Sequence, residues 1–128
     1  MEPDVTPEAA LYRFMSGFGI DAYASTSVPD GAAYPYITYD LVEGDMLSGE
    51  VNVTTKVWYR TESEAEPNAK VRQMYNRIGL GGVMVPCSGG ALWVKRGTPW
   101  AQVAPVDDSD RMVKCRYINI DIEYLIEG

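Results

Sequence analysis

The segment MVKCRYINIDIEYLI (Met112–Ile126) decides the fold class. Ile118, Ile120, Ile122 and Tyr124 alternate with Asn119, Asp121 and Glu123, a period of two that predicts a β-strand with one buried side. Upstream, Val113, Cys115 and Tyr117 fall on the opposite phase. That reversal predicts a bulge or bend near Arg116.

Working outward, VNVTTKVWYR carries the clearest alternation in the chain, with Val51, Val53, Thr55, Val57 and Tyr59 set against Asn52, Thr54, Lys56 and Trp58. The β-branched and aromatic run YPYITYDLV predicts a strand over residues 36–42, paired antiparallel with it across the turn EGDMLSGE. A second hairpin is expected from residues 83–85 and 91–95, joined at Ser88-Gly89-Gly90. RGTPWAQVAPVDDSD, with two prolines and several acids, reads as a long loop, and so does DAYASTSVPDGAAYP.

Two helices complete the set. Thr6-Pro7-Glu8 combines a cap, a proline suited to the first helical position and an acid at the positive end of the dipole. Ala10, Leu11, Phe14 and Met15 follow at helical spacing, so a helix is expected over residues 6–17, ended by Gly17 or Gly19. Ser63 and Glu66 read as a capping box, with Pro67 in the first turn. Ala69, Val71, Met74, Tyr75 and Ile78 give this second helix its apolar face and Gly79 ends it, with Lys70, Arg72 and Arg77 on the exposed face. The fold class expected is a single α+β domain over residues 1–128, mainly antiparallel sheet with two helices packed on one face, in the order α-β-β-α-β-β-β.

Composition restricts the chemistry. The chain has 128 residues, no histidine and a net charge of −7. Without histidine, Ser-His-Asp and Cys-His catalysis and most catalytic zinc sites are excluded. The acidic balance argues against holding a nucleic-acid backbone by charge. The N-terminal stretch MEPDVTPEAALYRF has no signal-peptide pattern, and no apolar run approaches the ~20 residues needed to span a bilayer, so a cytosolic setting is expected. Cys87 and Cys115 are then expected to be reduced core residues, both on strands where they could still lie close together.

Short motifs carry little. GFGIDA (residues 17–22) matches a dinucleotide-binding pattern, but it follows a helix and enters a loop, the reverse of what phosphate binding requires. DDSD lacks the ligand spacing of a calcium loop. Asn52-Val53-Thr54 is a sequon inside a strand. Glu62, Glu64 and Glu66 are explained by a helix N-terminus better than by a catalytic carboxylate pair. No cofactor and no metal site is expected, and no enzyme. Trp58, on the polar phase of its strand, Trp93 and Trp100 remain. Aromatic side chains in such places either cover an open sheet face or anchor a protein contact, and the neighbouring Lys95 and Arg96 suit the second role.

Taken in order, YPYITYDL, VNVTTKVWYRTES, IGLGGVMVPCSGGALWVKRGTPWAQ and CRYINIDIEYL resemble the tail terminator (tail completion) proteins of long-tailed bacteriophages and prophages, the fold class of the phage lambda tail terminator. The resemblance spans nearly the whole chain and rests on segment order, not on a catalytic signature. It implies a structural protein of host cytoplasm and virion that forms a ring, a homohexamer, on the head-proximal end of the tail tube. There it stops tube polymerisation and offers a docking surface to head–tail connector proteins. Trp93, Lys95, Arg96 and Trp100 would then form the self-assembly or tail-tube interface. The acidic turn Glu43, Asp45 and Glu50, or the loop Asp107, Asp108 and Asp110, would face a channel through which DNA passes without specific binding. A head–tail connector or stopper, a small histidine-free enzyme and a monomeric binding module are the alternatives.

Overall fold

A computed structural model describes residues 5–40, 49–106 and 109–126. The elements are α1 (Pro7–Met15), continued by a 3-10 turn (Ser16–Phe18), β1 (Asp21–Ala24), β2 (Tyr36–Tyr39), β3 (Glu50–Arg60), α2 (Ala65–Ile78), β4 (Val83–Cys87), β5 (Gly90–Val103) and β6 (Val113–Ile126). The fold is thus α+β, with one strand more than the expected order. That strand is β1, which lies in DAYASTSVPDGAAYP and pairs parallel with β2. Only four residues long, it puts Ala22 into the core and leaves Asp21 exposed. An alternation so short, ending in Ala-Ser-Thr-Ser, gives no distinct period.

All six strands form one sheet in the order β1-β2-β3-β6-β5-β4. The two antiparallel hairpins, β2–β3 and β4–β5, are therefore joined through the closing strand, which pairs antiparallel with β3 on one side and β5 on the other. Ile118 and Ile120 stand opposite Thr55 and Val53 of β3, and Ile122 stands opposite Val94 of β5. Leu11, Phe14 and Met15 of α1 and Met74 and Ile78 of α2 share one buried cluster with these isoleucines, Ile37 and Leu92. The side of the sheet that meets this cluster is the core side.

The bulge expected near Arg116 is not in β6. Its register with β3 is unbroken from Glu50↔Glu123 to Arg60↔Val113. The phase reverses because both sides of β6 are covered at this end. Arg116 is buried on the core side, while Val113 and Cys115 are buried on the other. The irregularity falls on the neighbouring strand, between Arg96↔Ile120 and Ala101↔Ile118, where five steps along β5 oppose two along β6. RGTPWAQV is therefore strand on both sides of a bulge, not loop. Pro99 has no N–H for the ladder, and the peptide bond before it is cis, as is Tyr34–Pro35. The Asn119 side-chain amide donates to the Pro99 carbonyl at 2.7 Å, giving a bulge oxygen the partner that the ladder does not.

The helix ends follow local chemistry. Thr6 Oγ1 accepts from Ala9 N at 3.1 Å, as a cap with Pro7 behind it should. The capping box expected at α2 is not formed. Glu64 is the N-cap residue, Ser63 Oγ accepts from Ala65 N at 3.0 Å, and the Glu66 carboxylate takes the Thr61 hydroxyl instead. Of the expected apolar face, Met74 and Ile78 are buried, whereas Ala69 and Tyr75 are exposed. Lys70 is not on an open face: its ammonium donates to Phe18 O at 2.6 Å, tying α2 to the turn after α1.

Gly97 is where the bulge leaves no room. A Cβ built there would lie 2.8 Å from the Asn119 carbonyl oxygen and 2.9 Å from its carbon. Gly97→Ala is expected to cost about 1–3 kcal/mol by overpacking against backbone, measured by urea unfolding. A variant as stable as the parent would show that the bulge repacks freely.

Candidate functional site: an aromatic hollow on the outer side of the sheet

On the side of the sheet away from the core, register builds a grid. Trp58 of β3 stands between Tyr36 of β2 and Cys115 of β6, and Lys56, one row along, stands between Thr38 and Tyr117. Directly opposed residues of an antiparallel pair share a face, so these six side chains are neighbours because of strand pairing alone. The Tyr36 and Trp58 rings stack at 6.3 Å, and Tyr34 and Tyr23 extend the aromatic surface at 5.2 and 5.9 Å from Tyr36. Tyr36, Trp58 and Tyr117 line a hollow of about 360 Å³ together with Ser25, Val28, Asp40 and Thr54.

The polar atoms are fixed in place. Trp58 Nε1–H donates to Thr38 Oγ1 at 3.0 Å, and Ser25 Oγ donates to Asp40 at 2.8 Å. Lys56 Nζ lies 5.8 Å from the Trp58 ring centre and 5.2 Å from that of Tyr117, within cation–π range of both. Among the described residues it has no ion pair. Burial raises the Tyr36 hydroxyl above the usual phenol range, reinforced by Tyr34, and pushes the Cys115 thiol up to about 11. Both groups are neutral near pH 7. The hollow thus presents one cation, one carboxylate and several hydroxyls on an aromatic floor.

The four residues expected to form an interface do not form one patch. Trp93 and Lys95 lie opposite Glu123 and Asp121, on the outer side. The Trp93 indole donates to Gly81 O at 2.9 Å, with Lys95 Nζ 4.2 Å from its ring centre. Lys95 is held in turn by Glu50 and by Glu123, 3.5 Å away. Arg96 is on the core side: its guanidinium lies 3.4 Å from the Tyr75 ring centre and donates to Tyr75 O at 3.1 and 2.9 Å. It therefore caps the last turn of α2. Trp100 packs edge-on against Tyr75 at 5.6 Å, and its indole N–H has no hydrogen-bond partner among the described residues.

Of the acids expected to line a channel, Glu50 pairs with Lys95, and Asp110 pairs with Arg60 at 2.7 Å. The Asp110 carboxyl is held below its ordinary range by the Met112 N–H and then by Arg60. Glu43, Asp45, Asp107 and Asp108 lie outside the described residues. Glu64, read as a dipole acid, accepts from buried Arg116 at 2.5 Å, and Asn68 takes a second guanidinium N–H at 3.1 Å. Cys87 and Cys115 are not neighbours. Cys87 joins the core cluster in the register row of Ile126, and Cys115 faces the other way beside Trp58.

The hollow itself was not foreseen. Its signal was in the strands: Tyr36, Trp58 and Tyr117 are bulky aromatics on the phase that carries polar residues elsewhere. Among the described residues no group of three or more acids or cysteines could hold a metal ion, and no helix is long and apolar enough to cross a membrane. No protein-family model, curated protein or solved structure matches the chain.

Two outcomes follow from this geometry. Arg96→Ala is expected to lower stability by about 1–3 kcal/mol, through a lost charge-assisted bond to a helix-end carbonyl and a lost ring contact. Thermal melting checks this, and an unchanged midpoint would return Arg96 to the pool of surface contacts. The second concerns pH. The folded state keeps the Cys115 thiol protonated to about pH 11, whereas an unfolded thiol ionises near its ordinary value. Between these values the unfolded chain binds fewer protons, so stability falls as pH rises, by about 2–3 kcal/mol in all. Cys115→Ala is expected to flatten the pH 9–10 part of that decline, below the range in which the raised tyrosines titrate.

Proposed function

We propose that this chain is a structural assembly protein of the tail-terminator type, which associates into a ring, caps the head-proximal end of a phage tail tube and presents a surface to head–tail connector proteins. The observation that carries the reading is the aromatic grid on the outer side of the sheet. Tyr23, Tyr34, Tyr36, Trp58 and Tyr117 lie together there, on the side of the sheet away from the core cluster. In this reading both helices lie on one face of the sheet and leave the other to a partner. Tyr and Trp are the side chains that protein contacts favour, because they bury large area at low entropic cost and retain a polar handle.

The order of sequence segments supports the same reading, as does the net charge of −7. A ring threaded by DNA functions best if it does not bind phosphate. The virion and the assembling host cytoplasm are the locations proposed with it.

Native mass spectrometry across a concentration series, together with electron microscopy of purified tail tubes mixed with the protein, tests the proposal. Closed hexamers, or rings seated on one end of the tubes, are expected. A chain that remains monomeric and leaves tube ends bare removes the reading. A chain that binds the portal side and not the tube points to the connector alternative.

A further inference from the structure

We propose that the hollow around Lys56 is a docking site for an acidic side chain, aspartate or glutamate, on a protein partner. Among the described residues, Arg60, Lys95, Lys114 and Arg116 have carboxylate partners, and Lys70 and Arg96 donate to backbone carbonyls. Lys56 stands between two rings in a hollow that Asp40 also lines, and among the described residues it has no ion pair. An ammonium partly withdrawn from water and facing a recess gains most from an incoming carboxylate, because the aromatic walls replace water on its flanks. Thr38 Oγ1 already accepts from Trp58, so its hydrogen is left to donate to a carboxylate oxygen.

Two features select a carboxylate on a polypeptide over phosphate. There is a single cation, where phosphate sites gather several or use arginine forks. Asp40, which lines the hollow and is fixed by Ser25, repels a dianion yet can accept an N–H from the main chain carrying the acid. The ring surfaces of Trp58 and Tyr117 suit the methylene groups that lead to the carboxylate.

The inference deepens the assembly reading and rests on it, since this side of the sheet must be open to a partner. The probe is the tripeptide acetyl-Ala-Glu-Ala-amide, with acetyl-Ala-Gln-Ala-amide and inorganic phosphate as comparisons, titrated into nitrogen-15-labelled protein. The readout is the Trp58 indole N–H resonance, assigned through Trp58→Phe. A saturable shift with the Glu peptide below about 20 mM is expected, with binding about tenfold weaker for the Gln peptide or for phosphate. Lys56→Gln is expected to abolish the shift with an unchanged melting midpoint, and Lys56→Arg to retain it. Equal response to the Gln peptide or to phosphate, no saturable shift, or undiminished binding by Lys56→Gln overturns the inference. Should Lys56→Gln fail to fold, the Glu–Gln–phosphate comparison on the parent chain decides alone. If rings form while the Glu peptide does not bind, this inference falls and the assembly reading stands. If the peptide binds while neither rings nor capped tubes form, the assembly reading falls and the docking site stands.

Discussion

The structure depends on β6 being paired along both edges. β2–β3 and β4–β5 are each local hairpins, and an isolated hairpin is marginal in water. Paired with the whole length of β3 through residues 113–123 and with β5 on both sides of the bulge, β6 turns two hairpins into one sheet. Ile118, Ile120 and Ile122 are fully buried because both neighbours and the helices close over them. The strand that comes after all the others in sequence is thus central in space.

The N-terminal end of the same strand sets the position of α2. Arg116 is buried on the core side, where an isoleucine would continue the pattern. Its guanidinium meets Glu64 at the N-cap and Asn68 in the first turn, while Arg96 grips the other end of the helix through Tyr75 O. Two arginines from the central strands therefore hold α2 at both ends. Charge-assisted bonds are directional, whereas the Met74 and Ile78 contacts between them tolerate some sliding. The ion pair contributes alignment more than net stability, since desolvating the arginine offsets much of its attraction to a half-exposed Glu64.

What could be read in the sequence follows from the range of the physics involved. The long alternations of β3 and β6, the Thr6-Pro7 helix start and the β4–β5 turn are local patterns, and they stand where local patterns put them. β1 is too short for a period and is strand only because β2 lies beside it. The strand character of 97–103 was masked by Pro99 and rescued by Asn119, a residue twenty positions away. The site shows the same division. Trp93, Lys95, Arg96 and Trp100 are neighbours in sequence, but alternation and the bulge send them to different sides of β5. Tyr36, the Lys56–Trp58 pair and Tyr117 are far apart in sequence and meet only through register, which no single segment encodes.

Why the outer side of the sheet does not become a second core is settled by its side chains. Tyr36, Trp58 and Tyr117 offer area comparable to a core layer, but Lys56, Thr38, Thr54 and Asp40 stand among them. Burying that mixture under a helix of the same chain would strand an ammonium and a carboxylate without matched partners, at a cost of several kcal/mol. Leaving it open to water satisfies the polar groups and keeps the rings available. Under the docking proposal, a partner that brings a complementary charge would cover the same surface without that penalty. The composition that opposes burial of this side under the chain's own elements is then the same composition that would discriminate among partners.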